Sequence, residues 1–306
     1  MQSVKLIKSN ELKFKDTSWD FKTAFTKYSN HGFHTYPAMM IPQIAKRLIE
    51  TYGKSSKVLL DPFMGSGTAL LEATLHNNFK KTYGIDINPL ALLISKVKTT
   101  HIGPKILAEE YKKLMQRCSE DKKIINFKQK TIEKPNFTNI NFWFKPQVIT
   151  DLTIIKNNME LIENKNIRNF FLIAFSETVR NASNTRNNEY KLYRLSEPML
   201  KKHNPDTISL FKEKAKENII SMQEYFQSYN KNCEVKILAE DTRHKTSIQD
   251  GEVDLIVTSP PYGDSRTTVA YGQFSRLSLQ WLGLNNIDVF NIDRISLGGI
   301  GVNPYK

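Results

Sequence analysis

The tetrapeptide Ser259-Pro260-Pro261-Tyr262 combines groups that suit the binding of a planar amine. It directly follows the apolar run 253–257, which predicts a loop at the carboxyl end of a buried strand, where open α/β sheets bind ligands. Two prolines fix φ and remove two backbone donors, so their carbonyls are left as acceptors. A serine hydroxyl and an aromatic ring complete the pocket. A diproline turn can also be an ordinary rigid loop with no ligand. The residues around it must therefore show which of the two it is.

A glycine-rich turn, Asp61-Pro62-Phe63-Met64-Gly65-Ser66-Gly67-Thr68, follows a second apolar run at 58–60. Gly65 and Gly67 permit positive φ and close approach of the backbone to a ligand, and the next helix offers free N–H groups. No lysine follows the turn, which excludes a phosphate-binding P-loop, and the third glycine of the dinucleotide fingerprint is missing. The turn favours a nucleotide-like cofactor, with a simple tight turn as the alternative.

Two acidic residues follow further strands and extend this candidate site. Asp86 ends the strand pattern 81–86, where acidic side chains accept hydrogen bonds from ribose hydroxyls. Its alternative role is to cap the helix that begins near Pro89. Asp241 follows the strand 234–238 and is a candidate for holding an adenine amino group, or else a plain turn residue.

The elements that must position these residues are strands and helices in alternation. Strand 58–60, the glycine turn, a helix and strand 81–86 form a βαβ unit. Helical patterns dominate residues 90–230, and strand patterns resume at 234–238. We therefore divide the chain into an N-terminal segment with a cofactor-binding half (1–100), a helical insertion (101–230) and a catalytic-loop half (231–306).

The charge balance favours a polyanionic partner. The 306 residues include 44 Lys and Arg against 31 Asp and Glu, a net charge of +13, which points to nucleic acid, or else to a general compositional bias. Cys118 and Cys233 are far apart and lack clustered histidines, which argues against disulfides and a metal site and suits the cytoplasm. No secretory h-region and no run of about 18 apolar residues is present, so we expect a soluble protein.

Taken together, these segments resemble the DNA amino-methyltransferases that use S-adenosyl-L-methionine. The turn 61–68 looks like the DPFxGSGT cofactor loop, and 259–262 looks like the catalytic loop. His34-Thr35-Tyr36-Pro37-Ala38-Met39 is similar to the segment that covers the methionine end of the cofactor. The resemblance spans about 30–100 and 232–283. It implies an α/β fold with a Rossmann-like, mostly parallel methyltransferase sheet and a large helical insertion.

The resemblance also implies roles for individual residues. Those expected to bind the cofactor are His34, Tyr36, Pro37, Asp61, Phe63, Gly65, Gly67, Thr68, Asp86 and Asp241. Ser259, Pro260, Pro261 and Tyr262 are expected to be catalytic. The Ser259 hydroxyl and the Pro260 carbonyl would accept hydrogen bonds from an exocyclic amine and aim its lone pair at the methyl group. Tyr262 would stack on a base rotated out of duplex DNA.

The choice of acceptor base remains open at this point. Serine in the first position of the catalytic loop favours cytosine N4 within this family, and adenine N6 is the alternative. Methylation of RNA or protein uses similar loops and is a further alternative. A non-catalytic DNA-binding remnant is possible as well. Neither cysteine lies in a Pro-Cys context, which argues against methylation at cytosine C5.

A polar, weakly periodic interval within the helical region is the candidate for target recognition. Arginine and asparagine read guanine and adenine edges, and lysine neutralises phosphate. A solvated loop with ordinary surface charge is the alternative. The residues that we expect to contact DNA are Arg180, Asn184, Arg186, Lys191, Tyr193 and Arg194.

The strand count predicts a sheet that is incomplete after its catalytic strand. Complete methyltransferases of this kind have seven strands, three of them beyond the catalytic loop. Residues 263–306 offer one helix pattern, 271–284, and at most one short strand. Because such a sheet would expose an apolar edge, we expect a second polypeptide to supply the C-terminal strands. A truncated, inactive product is the alternative.

Overall fold

A four-stranded, wholly parallel sheet forms the centre of the computed structural model, which describes residues 4–6, 12–14, 16–127, 132–187, 189–259, 269–284 and 291–292. Its strands are β3 (Val58–Asp61), β4 (Lys81–Ile85), β5 (Glu234–Leu238) and β6 (Leu255–Ile256), and their spatial order is β5-β4-β3-β6. A short antiparallel pair, β1 (Val4–Leu6) and β2 (Leu12–Phe14), lies outside this sheet. The prediction of a mostly parallel α/β sheet is confirmed.

The two inner strands are buried, as their apolar sequences require. Leu59 on β3 and Thr82 on β4 are fully buried, and Ile85 is nearly so. The register pairs Leu60 with Tyr83 and Asp61 with Gly84, so β3 and β4 end side by side. The residues that follow these strands therefore meet at one edge of the sheet.

The last strand is shorter than its sequence pattern predicts. A strand over 253–257 was expected, whereas only Leu255–Ile256 pairs regularly with β3. The Asp254 carboxylate accepts hydrogen bonds from the Lys57 and Val58 amides at 2.7 and 2.9 Å, and the Asp254 amide donates to the Val58 carbonyl at 3.0 Å. Ile256 is 59% exposed at this edge of the sheet.

Helices cover the sheet and continue into the middle of the chain. Two 3₁₀ turns, Thr17–Trp19 and Ser29–Phe33, precede them. The helices are α1 (Pro42–Tyr52), α2 (Thr68–Thr74), α3 (Pro89–Lys98), α4 (Pro104–Asn126), α5 (Ile140–Trp143), α6 (Pro146–Glu160), α7 (Lys165–Ala182), α8 (Glu197–Lys202), α9 (Thr207–Ser228) and α10 (Tyr271–Leu282).

The first helix begins at Pro42, and the residues just before it are not helical. Ala38 adopts φ 49°, a left-handed conformation that interrupts a helix. Ile41 is extended because a proline follows it, and Pro42 then occupies the first helical turn. Residues 37–41 therefore form an irregular segment in front of α1.

The middle helices share one core with the helices next to the sheet. Leu90 and Ile94 on α3, Phe171 on α7 and Trp281 on α10 belong to a single buried cluster. The helical region thus packs directly against α3, the helix that follows β4. The domain boundaries proposed at residues 100 and 230 therefore divide elements that share one hydrophobic core. Within the described residues, no helix is both long and apolar enough to span a membrane.

Candidate functional site

A cleft lies at the carboxyl edge of the sheet, where the sequence motifs meet. Its outer part extends from Asp86 to Asp241, and its inner part extends from Pro37 to Thr68. Both parts are lined by Tyr36, Phe63, Gly65, Ser259 and Tyr271. The structure therefore brings together the glycine turn, the acidic residue after β4 and the first residue of the candidate catalytic loop.

The glycine turn is shaped by its close approach to α3. Gly65 and Gly67 have φ of 49° and 74°. A Cβ atom on Gly67 would lie 2.7 Å from the Ser95 Oγ, so the position has no room for a side chain. The Ser95 hydroxyl donates to the Gly65 carbonyl at 2.9 Å and fixes the turn. The turn then leads into α2 at Thr68, which lines the inner part of the cleft.

Asp86 is held rigidly at the outer part of the cleft. Its Oδ2 accepts from the Gly65 amide at 3.0 Å and its Oδ1 from the Asn88 amide at 2.8 Å. Burial nevertheless raises the pKa of this carboxyl to about 6. The cap of α3 is Asn88, whose side chain accepts from the Leu90 amide at 3.0 Å. Asp86 is therefore not the helix cap, and each of its oxygens retains a lone pair for a ligand.

Asp61 joins the glycine turn to the residue before the candidate catalytic loop. Its Oδ1 accepts from the Phe63 amide at 3.1 Å and from the Thr258 hydroxyl at 2.7 Å. The residue is 3% exposed, and burial raises the pKa of its carboxyl to about 7. It lines the inner part of the cleft. In the structure, Asp61 holds the two loops together through these hydrogen bonds. The cofactor contact that the motif leads us to expect stays a prediction.

Ser259 is exposed and faces both parts of the cleft. The backbone before it is set by the sheet, because the Val257 amide donates to the Leu60 carbonyl at 3.1 Å. The other three residues of the predicted catalytic loop, Pro260, Pro261 and Tyr262, lie outside the described residues. Their catalytic roles remain predictions.

The segment before α1 contributes a tyrosine and a proline to the cleft. Tyr36 is buried, its hydroxyl accepts from the Asn88 Nδ2 at 3.0 Å, and its ring lies 5.8 Å from that of Tyr271. Pro37 lines the inner part. Their predicted role in covering the methionine end of the cofactor stays a prediction.

His34 is placed away from the cleft, contrary to the expectation that it binds the cofactor. Its Nδ1 donates to the Thr35 carbonyl at 2.8 Å, and its Nε2 accepts from the Ser176 hydroxyl at 2.9 Å. The imidazole is buried, and burial lowers its pKa to about 4. It is a neutral side chain whose Nε2 ties the segment to α7 and whose Nδ1 is bound to the carbonyl of the next residue.

Asp241 lines the outer part of the cleft, as the sequence predicts. Its two oxygens accept from the Arg243 Nε at 2.9 and 3.0 Å, and this pairing lowers the pKa of the carboxyl. An adenine contact would have to compete with an exposed ion pair, which is a weak interaction. The role of Asp241 in binding adenine stays a prediction.

The expected DNA-contact residues divide into buried and exposed groups. The described residues between 184 and 195 (184–187 and 189–195) form a hairpin, in which Thr185 pairs with Arg194 and the Arg186 amide donates to the Tyr193 carbonyl at 2.9 Å. Lys191 and Arg194 are partly exposed, and Arg186 and Tyr193 are exposed. These four residues can still reach a ligand outside the chain.

Arg180 and Asn184 cannot contact DNA from the positions they occupy. Arg180 is 6% exposed, with its guanidinium 3.8 Å from the Phe274 ring centre, and burial lowers its pKa to about 10. Asn184 is 2% exposed and donates to the Phe142 carbonyl at 3.2 Å. Both support the hairpin from below, so the expectation that they read bases is wrong.

Two residues of the cleft were missed by the sequence analysis. Asn88 donates to both the Tyr36 hydroxyl and the Ser275 Oγ, and thereby connects the segment before α1 to α10. Asparagine before Pro89 is a helix-cap signal that could have identified it. Tyr271 lines both parts of the cleft and has no comparable signal, because it lies at the start of an ordinary amphipathic helix.

Comparisons with known proteins find similarity to DNA methylases. A family model described as DNA methylase matches residues 2–97. The chain is 41% identical over 300 residues to the type II methyltransferase M.MvaI of Kocuria varians, covering 91% of the chain and 64% of that relative. It is 22% identical over 315 residues to the type II methyltransferase M.MjaII of Methanocaldococcus jannaschii, covering 76% and 59%.

The chain thus spans less than two thirds of the length of either relative. Neither match supports the expectation that a second polypeptide completes the sheet. No solved structure gives a significant match to the chain.

Proposed function

Because this chain is a relative of the type II DNA methyltransferases, we propose that it methylates an exocyclic amino group of duplex DNA. The methyl donor is S-adenosyl-L-methionine, and the acceptor is cytosine N4. The names of both relatives support a type II system, so the chain would protect the DNA of its cell from a partner restriction endonuclease.

The observation that carries this proposal is the convergence of two motifs on one cleft. Ser259 and Gly65 line both parts of it, and the Asp61–Thr258 hydrogen bond of 2.7 Å holds the two loops together. The motifs are almost 200 positions apart in the sequence. Their meeting at the carboxyl edge of a parallel sheet matches the arrangement that a cofactor-dependent transfer requires.

The residues of the cleft suit the proposed cofactor. Gly65 lines the cleft without a side chain that could obstruct a ligand, and Asp86 offers carboxylate lone pairs to ribose hydroxyls. Ile87 and Phe63 provide apolar walls for a purine. The Asp61 carboxyl at the inner part is an acceptor for an ammonium group. When bound, S-adenosyl-L-methionine supplies an electrophilic methyl group.

Ser259 is the described residue that we assign to the transfer step. An exocyclic amine is a poor nucleophile because its lone pair is delocalised into the ring. The Ser259 oxygen accepts one amine hydrogen, which localises the lone pair and orients it toward the inner part of the cleft. The amine nitrogen would bond to the methyl carbon as the sulfur–methyl bond breaks, which would leave S-adenosylhomocysteine, and the proton that the amine loses would pass to solvent. No side chain forms a covalent bond to the base, so no cysteine nucleophile is needed.

The preference for cytosine rests on the serine at position 259 and on the family resemblance. A neutral hydroxyl binds a single amine hydrogen and adds no charge next to the base. Adenine N6 carries the same kind of amine, and it is the alternative acceptor.

Base identification is the experiment that tests the proposed function. Unmodified duplex DNA is incubated with the purified chain and S-adenosyl-L-methionine, digested to nucleosides and analysed by mass. We expect N4-methylcytosine. N6-methyladenine would overturn the cytosine assignment alone, and the absence of any methylated nucleoside would overturn the proposed function.

A further inference from the structure

An open groove of about 630 Å³ lies beside the hairpin 184–195 and belongs to no predicted site. It is lined by residues 136–142, and we call it the amide groove. Asn136, Asn139 and Asn141 are exposed there, and within the described residues their side-chain amides make no hydrogen bond. Three free amides on one short segment are available to an external partner.

The amide groove and the hairpin form one continuous surface. The Phe142 carbonyl accepts from the Asn184 Nδ2 and from the Arg194 Nε, both at 3.2 Å. The Arg194 guanidinium also lies 4.5 Å from the centre of the Phe142 ring. The Asn184 amide donates to the Trp143 carbonyl at 2.7 Å. These contacts fix the groove and the hairpin relative to each other.

Helix α10 supports both parts of this surface from below. The Trp281 ring packs edge-on against Phe137 and Phe144, with centroids 5.8 and 5.7 Å apart. Near the start of α10, the Gln273 Oε1 accepts from the Leu192 amide at 3.2 Å. The helix follows the candidate catalytic loop and has 12 residues, so it extends about 18 Å. That length corresponds to about five base-pair steps of duplex DNA.

The chemistry of this surface fits DNA. Asparagine amides pair bidentately with adenine edges. The groove and the hairpin also carry aromatic and basic side chains: Phe142, Tyr190, Tyr193 and Arg186 are exposed, and Lys191 is partly exposed. Arg186 and Arg194 form ion pairs with nearby glutamates, at 3.3 and 3.0 Å. Such surface pairs are weak, so DNA phosphates can displace the glutamates.

We propose that the amide groove reads base edges beside the methylated base, with Asn139 and Asn141 as specificity-determining residues. This inference rests on the proposed function, since it takes the target to be duplex DNA. Base recognition would then involve two segments, the hairpin and the amide groove. Together they would contact only a few base pairs around the methylated base.

Two exposed variants test the proposal without disturbing the core. Asn139→Gly keeps the φ of 63° that this position requires and removes the amide. Asn141→Ala removes the second amide. Asn77→Ala is the matched control, because Asn77 is also exposed and precedes β4 at the opposite edge of the sheet. Thermal melting confirms that all three variants fold.

The measurement compares binding of the target duplex with binding of duplexes that carry single base-pair substitutions. The target is mapped first from the positions that the wild-type chain methylates. We expect each groove variant to lose roughly 5- to 100-fold of the preference for the target at one base pair, the discrimination of one bidentate contact. Affinity for S-adenosylhomocysteine should stay unchanged, and Asn77→Ala should behave as the wild type.

Two outcomes would overturn the inference. The groove variants could keep the wild-type preference, or they could weaken every duplex equally, which would indicate phosphate contact without reading. Either result would leave the proposed function intact if the wild-type chain still methylates DNA. A wild-type chain that methylates no duplex would instead contradict the proposed function.

Discussion

The Thr258 hydroxyl donates a hydrogen bond of 2.7 Å to the Asp61 carboxylate, and this contact joins the glycine turn to the candidate catalytic loop. Asp61 ends β3 and Thr258 lies two residues beyond the end of β6, so the parallel pairing of these two strands brings the residues together. Asp61 is almost fully buried and also caps the turn through the Phe63 amide. A displacement of either loop therefore displaces the other.

Removing the Thr258 hydroxyl should slow methyl transfer more than it weakens cofactor binding. Thr258→Val keeps the shape of the side chain but leaves the buried Asp61 oxygen short of a partner. The loss of one such bond costs about 1–3 kcal/mol, so we expect kcat to fall about 5- to 100-fold. Thr258→Ser restores the donor and should restore the rate. Equal rates for the valine and serine variants would contradict the role of the hydrogen bond.

Cofactor affinity should depend on the ionisation of Asp86. Burial raises the pKa of this carboxyl to about 6, so the acceptor is ionised above that pH and protonated below it. We expect affinity for S-adenosylhomocysteine to fall as the pH drops from 7 to 5, measured by calorimetry. Asp86→Asn should bind weakly at pH 7.5 and should show a flatter dependence. A variant with the wild-type curve would exclude Asp86 as the titrating group.

Gly67 should tolerate alanine much less well than Gly251, although both have φ above 70°. Alanine at Gly251 meets no atom within 4 Å, so its cost is the backbone strain of about 1 kcal/mol. At Gly67 the added Cβ would also collide with Ser95, and we expect roughly 1–3 kcal/mol more. Urea unfolding measures the loss of stability in each variant, and the difference between the two losses gives the cost of the collision with Ser95. Equal losses of stability would show that α3 does not constrain the turn.

Lys98 should lower the free energy of unfolding of this chain. It is fully buried, its Nζ has no hydrogen-bond partner within the described residues, and burial lowers its pKa to about 7. The unfolded chain therefore holds more protons between pH 7 and about 10, so the free energy of unfolding should rise over that range. Lys98→Met should stabilise the chain at pH 7, on the order of 2 kcal/mol, because no amine is buried.

The pH dependence provides the check on that prediction. When the free energy of unfolding is measured by chemical denaturation, the Lys98→Met variant should lack the part of the rise above pH 7 that Lys98 causes in the wild type. If both proteins follow the same curve, or if the variant is less stable, then Lys98 has a partner that stabilises its charge.

The sequence predicts the elements around the cleft well, because their patterns are local. The apolar runs give β3, β4 and β5 nearly to the residue, and Gly65 and Gly67 mark the turn through their need for positive φ. Asp86 is predictable because it ends a strand next to that turn. These features depend on neighbours in the chain, which the sequence displays directly.

Long-range packing accounts for the predictions that are wrong. His34 is buried against α7, and Arg180 stacks on Phe274 almost 100 positions away. Neither packing partner can be identified from local spacing. The histidine was therefore assigned to the cofactor and the arginine to DNA, because their side chains suit those ligands. The amide groove was missed for the same reason, since it becomes a surface only when α10 packs beneath residues 137–144.

The central claim is that the cleft shared by Ser259 and the glycine turn is the site of methyl transfer. The most direct measurement is the single-turnover rate of methyl transfer to duplex DNA by the Ser259→Ala variant, with Ser55→Ala as an exposed serine control. We predict a rate about 10- to 100-fold below that of the wild type, with affinity for S-adenosylhomocysteine unchanged. A wild-type rate for Ser259→Ala would contradict the claim.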